Sequence, residues 1–463
     1  MSCNGIPVPT KFNRRVPGDV LSQLVQLGGL TFYKDFTGSG SLHANYSLGD
    51  PTATFTCDCS ATNPRTYVDA NGVIQLVTTA NVGLIWGGYY DATGFHKLSK
   101  PGLGVFAQGA NLLIRTDGTA SGSGLWTGWQ VSKSCANDPT TTQVLCPTLS
   151  GITNAAAQRF VYVDGADTNK SLMLQSTNTV AGSVVEGNVV TFSFYARSQT
   201  GTTGANFIGQ INWRDSVPAL IGSETSSALT LTSSWRKFSV TGTAPATTNR
   251  ISAKVGFNNG VDQGDLLDFE VYGMQVEINP YPTPFIPTTT GALTRNAETL
   301  TYLIAGNRTA AQETISIGFM PMGGSFANDG VARVVLNNTI TTSSNTDNRV
   351  IDKATSGVVL RSYPAGYTGT NKSGTTTPLV NTPYVFTSSC NSTGNPNLQI
   401  FLNGVQESTD SNTDFTPPPW TTTFYIGSDR GSINQLNGLF TGIAIHSRAL
   451  TAGEVATEYA LLK

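Results

Sequence analysis

Short runs of β-branched and aromatic residues recur along this 463-residue chain, each bounded by Gly, Asn, Asp or Pro. They include VVTFSFYARS, WRKFSVTGTA, RISAKVGF, ETISIGFMPM, NLQIFLNGV, TTFYIGSD and LFTGIAIHS. Such runs predict strands, and Asn403-Gly404 predicts a hairpin turn because Gly accepts a positive φ. Since helical periodicity is almost absent, the pattern predicts an all-β chain built from two β-sandwich (jelly-roll) domains.

Two short segments carry helix signals. TAGE has the form of a capping box, with Thr451 as the N-cap and Glu454 three positions later, and predicts a short C-terminal helix. VPGDVLSQLVQLGGL predicts a short amphipathic helix after Pro17. Arg448 is expected to pair with Glu454 or to cap a carbonyl.

The stretch YPTPFIPTTT, residues 281–290, interrupts the strand pattern with three prolines and four threonines. Proline lacks a backbone donor and fixes φ, so the stretch predicts a stiff, extended connector on a surface. It divides the chain into a leader (1–30), a short β-rich segment (31–110), a first sandwich (111–290) and a second sandwich (291–463). An alternative division joins 31–290 into one domain, to which the early segment donates strands.

The composition is polar but weakly charged. Charged residues make up 12% of the chain, against roughly 25% in typical soluble domains, which suits extracellular or virion proteins better than cytosolic enzymes. The net charge of −2 predicts no nucleic-acid partner, and no run reaches the roughly 18 apolar residues of a membrane helix. Because the first 30 residues lack a signal peptide, we expect synthesis in a host cytoplasm and a final location on a virion surface.

Basic residues and cysteines give weaker signals. Lys11, Arg14 and Arg15 form a cluster that is either a solvated tail or part of a virion-anchoring segment. Cys135 and Cys146 flank a loop and could form a disulfide, with free thiols as the alternative. The pair CxC at positions 57 and 59 is too tight for an easy mutual disulfide and is not by itself a zinc spacing.

Six segments of residues 35–302 together resemble a family of phage structural proteins found in tails, fibres and head surfaces. They are DFTGSGSLHANYSL, TYVDANGVIQLVTTANV, ANLLIRTDGTA, VTFSFYARS, SSWRKFSVTGTA and VYGMQVEINPYPTPFIPTTTGALTRNAETLT, in that order. The resemblance implies a carbohydrate-binding-module-like jelly roll. Since that module family often holds calcium near this closing strand, it allows a structural calcium but no other cofactor. The chain departs from the family pattern in GLIWGGYYDATGFHKLSKPGLGVFAQGANLL and in the loop that follows GLWTGWQ.

The last part of the chain, about residues 310–463, resembles a laminin-G-like, concanavalin-type sandwich. The resemblance lies in NLQIFLNGVQEST, TTFYIGSDR and LNGLFTGIAIHSRALTAGEVATEYALL. In that family the final strand is followed by an R-A-L-(S/T)-x-x-E segment and a closing helix. The pattern implies a fold and says little about a ligand.

The sequence offers little support for an enzyme. Its three histidines, His43, His96 and His446, are far apart, and HExxH, GxSxG and P-loop motifs are missing. Asp268 and Glu270 share one strand face, but their spacing does not suit the two converging carboxylates of a glycosidase. Solvated edge residues or calcium ligands are the simpler interpretations, so we predict no enzymatic activity and no metal site beyond that structural calcium.

Glycan binding fits the sequence better, because sugars stack on aromatic faces and bind polar side chains. The candidate platforms are Trp126, Trp129, Trp420, Trp86 and Tyr89, with Tyr90 beside the last. Packing in a core is the alternative for each of them, and Trp213 and Trp235 are expected to be structural.

These features predict a non-enzymatic phage virion protein, either a head decoration or a tail or fibre component. We expect it to contact other virion proteins through its N-terminal segment, to bind host-surface glycans, and to form a homo-oligomer, for which a trimer is the usual fibre symmetry. The alternatives are a tail-associated polysaccharide depolymerase and a capsid cement protein that binds no ligand.

Overall fold

The computed structural model describes most of the chain. The described residues are 20–37, 45–48, 52–57, 59–60, 63–106, 108–113, 124–135, 137–145, 149–150, 156–163, 168–199, 202, 206–307, 312–323, 333–337, 348–354, 357–363, 372–376, 378–391, 398–410, 423–428 and 435–463.

Strands dominate these residues, as the sequence predicts. In chain order they are β1 (Leu30–Asp35), β2 (Tyr46–Ser47), β3 (Ala53–Thr56), β4 (Arg65–Val68), β5 (Ile74–Val77), β6 (Ile85–Asp91), β7 (Gly94–Val105), β8 (Gly109–Asn111), β9 (Trp129–Lys133), β10 (Thr140–Leu145), β11 (Leu149–Ser150), β12 (Ala156–Val163), β13 (Lys170–Ser176), β14 (Val189–Ser198), β15 (Phe207–Arg214), β16 (Leu220–Thr225), β17 (Arg236–Thr243), β18 (Arg250–Val261), β19 (Leu266–Glu277), β20 (Leu293–Arg295), β21 (Thr299–Leu303), β22 (Gln312–Pro321), β23 (Arg333–Asn337), β24 (Asn348–Ala354), β25 (Gly357–Tyr363), β26 (Lys372–Ser373), β27 (Tyr384–Asn391), β28 (Leu398–Leu402), β29 (Val405–Asp410), β30 (Thr423–Ile426) and β31 (Gly438–His446). The helices are α1 (Val20–Gln26) and α2 (Ala452–Leu462). Neither described helix is long and apolar enough to cross a membrane.

The first sandwich is formed by two five-stranded sheets. One has the order β10-β12-β19-β14-β17 and the other the order β16-β15-β18-β13-β9. Their facing sides bury a core that is rich in aromatic residues, and rings such as Phe160 and Phe269 stack at 5.0 Å between centroids. Alternation of core-facing and outward residues along each strand produces this arrangement.

The second sandwich recruits strands from both ends of the chain. Its larger sheet contains β2-β1-β31-β22-β27-β28-β29 together with β6 and β7, and its other sheet has the order β26-β25-β24-β23-β30-β21-β3. Phe32 pairs with Ile445, Phe55 with Leu300 and Leu103 with Phe440 across these ladders. The early segment therefore completes the C-terminal sandwich, whereas the sequence placed it beside or within the first one.

The first sandwich is consequently an insertion into the second. The chain leaves through β8 and returns through β20, and these two strands pair antiparallel, with Asn111 opposite Leu293 and Gly109 opposite Arg295. At this junction the backbone N–H of Glu298 donates to the carbonyl of Phe106 at 3.0 Å. The backbone N–H of Phe106 donates to the carboxylate of Glu298 at 3.2 Å. Entry and exit side by side are the geometry that lets one domain fold within another.

Helix α1 forms after Pro17 as the sequence predicts, and its apolar side is covered by this same chain. Leu24 is fully buried in a cluster with Leu30, Tyr33 and Leu462. The apolar face of α1 therefore packs on the second sandwich, so it is not available to anchor the chain to another protein.

The C-terminal region confirms three local predictions. Asn403 and Gly404 have φ values of 52° and 77° in the turn between β28 and β29. Thr451 caps α2 in a capping box with Glu454. Arg448 both pairs with Glu454, at 2.5 Å, and donates to the carbonyl of Leu27, so it ties the end of α1 to the start of α2.

We expect Glu454→Gln to weaken the fold at pH 7 by about 1 kcal/mol, the usual contribution of a cap. Hydrogen bonds from Arg448, and then from Thr451, outweigh burial and lower the pKa of Glu454 to about 2 from 4.5. A lowered pKa means that its stabilising effect is present above pH 4.5 and is lost as the pH falls toward 2. The wild type should therefore have a higher melting temperature than the variant at pH 7. This difference should disappear as the pH falls from 4.5 toward 2. Glu186→Gln, at an exposed position, is the control. An equal difference in melting temperature between wild type and Glu454→Gln at every pH would contradict the lowered pKa of Glu454.

Candidate functional site

Two of the five predicted sugar platforms lie in the core of the first sandwich. Trp126 is 1% exposed and Trp129 is also buried, and their rings meet edge to face at 6.0 Å. A ring that is buried on both faces cannot stack on a sugar, so both indoles act here as core residues, which corrects the platform interpretation. Trp213 and Trp235 are buried too, in agreement with the structural role expected of them.

Several other predicted residues lie outside the described residues, namely Trp420, Lys11, Arg14, Arg15 and Cys146. Their roles stay predictions. The sulfur of Cys135 is buried and donates a hydrogen bond to the carbonyl of Ser171 at 3.3 Å. Because Cys146 is not among the described residues, the disulfide between Cys135 and Cys146 also stays a prediction.

Trp86 and Tyr89, the remaining predicted platforms, lie together on β6 beside a cavity of about 290 Å³. The sequence IWGGYY allows β6 to approach its neighbours closely. A Cβ added at Gly87 would lie 2.3 Å from the nitrogen of Ala70, and one at Gly88 would lie 2.2 Å from the ring of Phe95. The two glycines therefore hold the aromatic residues that follow them against the cavity.

The cavity lies between the two sandwiches, under the proline-rich stretch. Aromatic side chains supply much of its wall, including Trp86, Tyr89, Tyr90, Tyr195, Tyr281 and Phe285. Trp86 is 4% exposed and packs against Phe106 at 5.3 Å between ring centres, so its ring is a buried part of the wall, which corrects its interpretation as a sugar platform. An aromatic wall with a few polar groups is typical of small-molecule and sugar sites.

The proline-rich stretch is a packed wall, which corrects the expectation of a connector that simply lies on a surface. Phe285 and Ile286 are buried. Because prolines break the ladder, side chains satisfy the backbone here: Glu277 accepts from the N–H of Thr283 at 2.8 Å, and Gln275 accepts from that of Ile286 at 2.6 Å. The extended conformation is as predicted, and it fixes the position of Tyr281 and Phe285.

A cation lies in the same cavity. Lys237 on β17 is half-buried, donates to the carbonyl of Thr283 at 3.1 Å, and places its ammonium 5.7 Å from the ring centre of Tyr195. Burial lowers the pKa of Lys237 to about 8, opposed by the charge of Glu277 and assisted by that of Arg295. At pH 7 the group is therefore mostly protonated and can donate to an acceptor in the cavity.

A second cavity, of about 430 Å³, adjoins the first. Tyr89 and Asn381 line both. The ring of Tyr89 stacks on His96 at 4.9 Å and 16°, and His96 is held in turn by Asp91 at 2.9 Å. Tyr89 is half-buried between the two cavities. Of the predicted platforms that the structure describes, its ring is the best placed to contact a ligand.

The carboxylates singled out in the sequence are bound to arginines. Asp268 receives two hydrogen bonds from Arg159, at 2.8 and 2.6 Å, and Glu270 receives one from Arg197 at 2.7 Å. They are thus buried ion-pair partners rather than solvated edge residues. Within the described ranges, no three His, Cys, Asp or Glu residues group as metal ligands.

One buried network contains a serine, a histidine and a glutamate, the residue types of a hydrolase triad. Their order of contact differs from that of a triad. Glu458 accepts from Ser316 at 2.5 Å and contacts Nε2 of His446 at 2.9 Å, while Nδ1 of His446 lies 2.9 Å from the carbonyl of Gly28. In a catalytic triad the histidine contacts the serine. Here the carboxylate lies between them and all three side chains are fully buried, so the network joins the turn after α1 to α2 and the sheet.

Sequence reasoning missed Lys237, Tyr195 and Asn381. The first two are ordinary members of alternating strands, and no local signal distinguishes them. Asn381 has a φ of 58°, which is a turn property, and its place in the wall depends on packing.

Comparison with known proteins identifies part of the chain. The family model described as the concanavalin A-like lectin/glucanases superfamily (Laminin_G_3) matches residues 331–456. No curated protein matches the chain.

Solved structures with some likeness share little identity with this chain. The enzymatically active domain of tailspike protein 4 from bacteriophage CBA120 is 12% identical, with 35% of this chain and 21% of that chain covered and a TM-score of 0.26. The family 11 carbohydrate-binding module of Clostridium thermocellum Lic26A-Cel5E is 15% identical, with 37% and 95% covered and a TM-score of 0.25. The CBM22-1 xylan-binding domain of Paenibacillus barcinonensis Xyn10C is 11% identical, with 40% and 99% covered and a TM-score of 0.25. Scores this low carry no argument about function. The family match stands apart from them: residues 331–456 belong to a concanavalin A-like sandwich, as the sequence resemblance predicts.

Proposed function

We propose that this chain is a non-enzymatic glycan-binding protein of a phage virion surface, and that it binds glycan at Tyr89 between the two cavities. The observation that carries the binding proposal is the convergence of an aromatic wall and a half-buried cation at one cavity. A concanavalin A-like sandwich is a scaffold on which such sites occur, although the fold alone does not imply a function.

The polar groups around Tyr89 suit sugar hydroxyls. Asn381 offers an amide to both cavities, Lys237 offers an ammonium to the first, and Asn403 and Thr441 line the second. The ring of Tyr89 is held in place by its stacking on His96. A platform that is already ordered loses little side-chain entropy when a sugar binds.

The absence of catalysis is part of the same proposal. A glycosidase needs two carboxyl groups on opposite sides of the scissile bond. Among the described residues that line the cavities, Asp91 is the one carboxylate, and Thr93 and His96 already hold it by hydrogen bonds.

The virion location, the homo-oligomer and the contacts with other virion proteins rest on the weakly charged composition and on the resemblance to phage structural proteins. Because α1 packs on the second sandwich, we propose that docking uses the segment before it, which contains Lys11, Arg14 and Arg15. Assigning this chain to density in a cryo-EM reconstruction of a virion tests the location. A particle with no matching density would contradict it.

We expect the full-length protein to bind members of an array of bacterial capsule and O-antigen glycans, and Tyr89→Ala to weaken that binding about tenfold. Removing a central aromatic contact usually costs about 1–2 kcal/mol, and 1.4 kcal/mol is a factor of ten. Titration calorimetry with the best glycan measures the change. Tyr425→Ala, which removes a half-buried ring outside both cavities, should bind as the wild type does.

Three outcomes would contradict part of the proposal. Equal losses in Tyr89→Ala and Tyr425→Ala would place the site elsewhere. Failure to bind any glycan, with normal attachment to the particle, would favour the cement protein. New reducing ends after incubation with a polysaccharide would favour the depolymerase.

A further inference from the structure

Two cysteines that the proposed function does not use lie at the end of β3. Cys57 and Cys59 are each 4% exposed and belong to the core of the second sandwich. Their CxC spacing argues against an easy mutual bond when it is considered alone, yet the fold turns both side chains toward each other. Their sulfur atoms lie 2.9 Å apart.

Fixed donors surround the pair. The backbone N–H of Asn81 donates to the sulfur of Cys57 at 3.2 Å, while the side-chain oxygen of Asn81 accepts from the N–H of Cys57 at 3.0 Å. On the other side, Arg65 directs its guanidinium at the sulfur of Cys59 at 3.6 Å. The two sulfurs are therefore held by contacts from separate parts of the chain.

These surroundings divide the protons unequally between the two thiols. The hydrogen bond from Cys59 lowers the pKa of Cys57, and the charge of Arg65 lowers it further against the opposing effect of burial. The same hydrogen bond, together with burial, raises the pKa of Cys59. A thiol neighbour and a nearby arginine both favour the thiolate form of a cysteine, which is the nucleophilic form.

We propose that Cys57 and Cys59 form a reactive dithiol that small disulfides oxidise to an intramolecular disulfide. The proposal concerns a modification site and does not depend on glycan binding. Its physical basis is proximity, because both sulfurs are already oriented for exchange by Asn81 and Arg65.

The exchange proceeds in two steps with an oxidant such as oxidised glutathione. Because both sulfurs are buried in the closed fold, the reaction begins when the chain around β3 opens locally and admits the oxidant. The Cys57 thiolate then attacks one sulfur of the oxidant, so that a mixed disulfide forms and one glutathione thiolate leaves. Cys59 then gives up its proton and attacks the sulfur of Cys57, which releases the second glutathione. The protein loses one proton and two electrons, and the oxidant is reduced to two glutathione molecules, which carry that proton between them.

The position of the dithiol links it to the junction of the two sandwiches. Arg65 pairs with Glu298, and Glu298 in turn binds the backbone of Phe106 where the chain leaves for the inserted sandwich. Oxidation removes the negative charge of Cys57 but leaves Glu298 as the partner of Arg65. We therefore expect the oxidised protein to stay folded.

The test is peptide mass spectrometry on the folded full-length chain. Trypsin releases residues 35–65, a peptide that contains these two cysteines and no others. The reduced protein is treated with oxidised glutathione, unfolded, alkylated with N-ethylmaleimide and digested. We expect peptide 35–65 to be lighter by two hydrogen atoms and to carry no alkyl group. Cys390, which is buried in the same sandwich, should be fully alkylated in the same sample.

The variants Cys57→Ser and Cys59→Ser complete the experiment. Cys59→Ser should accumulate the mixed disulfide at Cys57, because no second thiol resolves it, and Cys57→Ser should react little. If either variant fails to fold, the wild-type measurement still decides. The proposal is overturned if wild-type peptide 35–65 carries two alkyl groups after oxidation, or if Cys390 reacts with glutathione as fast as the pair does.

Discussion

A fragment of residues 291–463, the second sandwich as the sequence delimits it, should fail to fold. It lacks β1, β3, β6 and β7, and so lacks the core side chains that these parts of the chain supply. Those are Phe32, Phe36, Phe55, Leu103 and Val105. Full burial of one such side chain is worth about 1.5–3 kcal/mol, so the loss is on the order of the whole stability of a typical domain, roughly 5–15 kcal/mol.

The matched control removes the insertion instead. In a chain that spans residues 20–463, residues 112–292 are replaced by Asn-Gly, which joins β8 to β20 as a two-residue hairpin. This chain keeps every strand of both sheets of the second sandwich and should unfold cooperatively on heating, as followed by circular dichroism. A cooperative transition in the 291–463 fragment would show that the early strands are dispensable, contrary to the topology.

The second large effect is expected at the buried ion pair between Arg65 and Glu298. Both side chains are almost fully buried, at 3% and 0% exposure. Arg65→Met leaves the Glu298 carboxylate without its main partner, although Arg295 still lies near it. Breaking a buried pair from one side typically costs about 3–5 kcal/mol, so the melting temperature should fall by several degrees or more.

The pH dependence gives this variant a distinctive signature. Burial raises the pKa of Glu298, and Arg65 is the largest influence that opposes the rise. Without Arg65 that pKa rises further, and a raised pKa means that stability is lost as the pH increases through the folded-state value. The difference in melting temperature between wild type and Arg65→Met should therefore be largest at alkaline pH and smaller near pH 5.

Two further variants test the cause. Adding Glu298→Gln to Arg65→Met should recover part of the stability, since a neutral amide needs no counter-charge. Lys133→Met, which breaks an exposed pair with Asp138, should cost under about 1 kcal/mol. If Arg65→Met cost no more than Lys133→Met, the buried pair would not contribute as argued.

Local features were predictable because their causes are local. Asn403-Gly404 forms its turn because Gly accepts a positive φ, and Thr451 caps α2 because its hydroxyl reaches the N–H of Glu454. The strand VVTFSFYARS matches β14 residue for residue. Each of these depends on a few neighbouring residues.

The candidate site was predictable only in part. IWGGYY was identified as aromatic and polar, and Trp86 and Tyr89 do line a cavity. GLWTGWQ has a similar composition, yet Trp126 is buried in a core. The two sequences cannot be distinguished by composition, because whether an indole faces solvent or a core depends on which sheet covers it.

The sequence alone determined the all-β class, the short helices, the turns and the concanavalin-type character of the C-terminal region. The three-dimensional fold was needed to show that the early strands complete the C-terminal sandwich, that the first sandwich is an insertion, and that Cys57 faces Cys59. The difference arises from distance along the chain. Backbone preferences and turns act over a few residues, whereas Phe32 and Ile445 are paired by the burial of apolar surface, which depends on the whole chain.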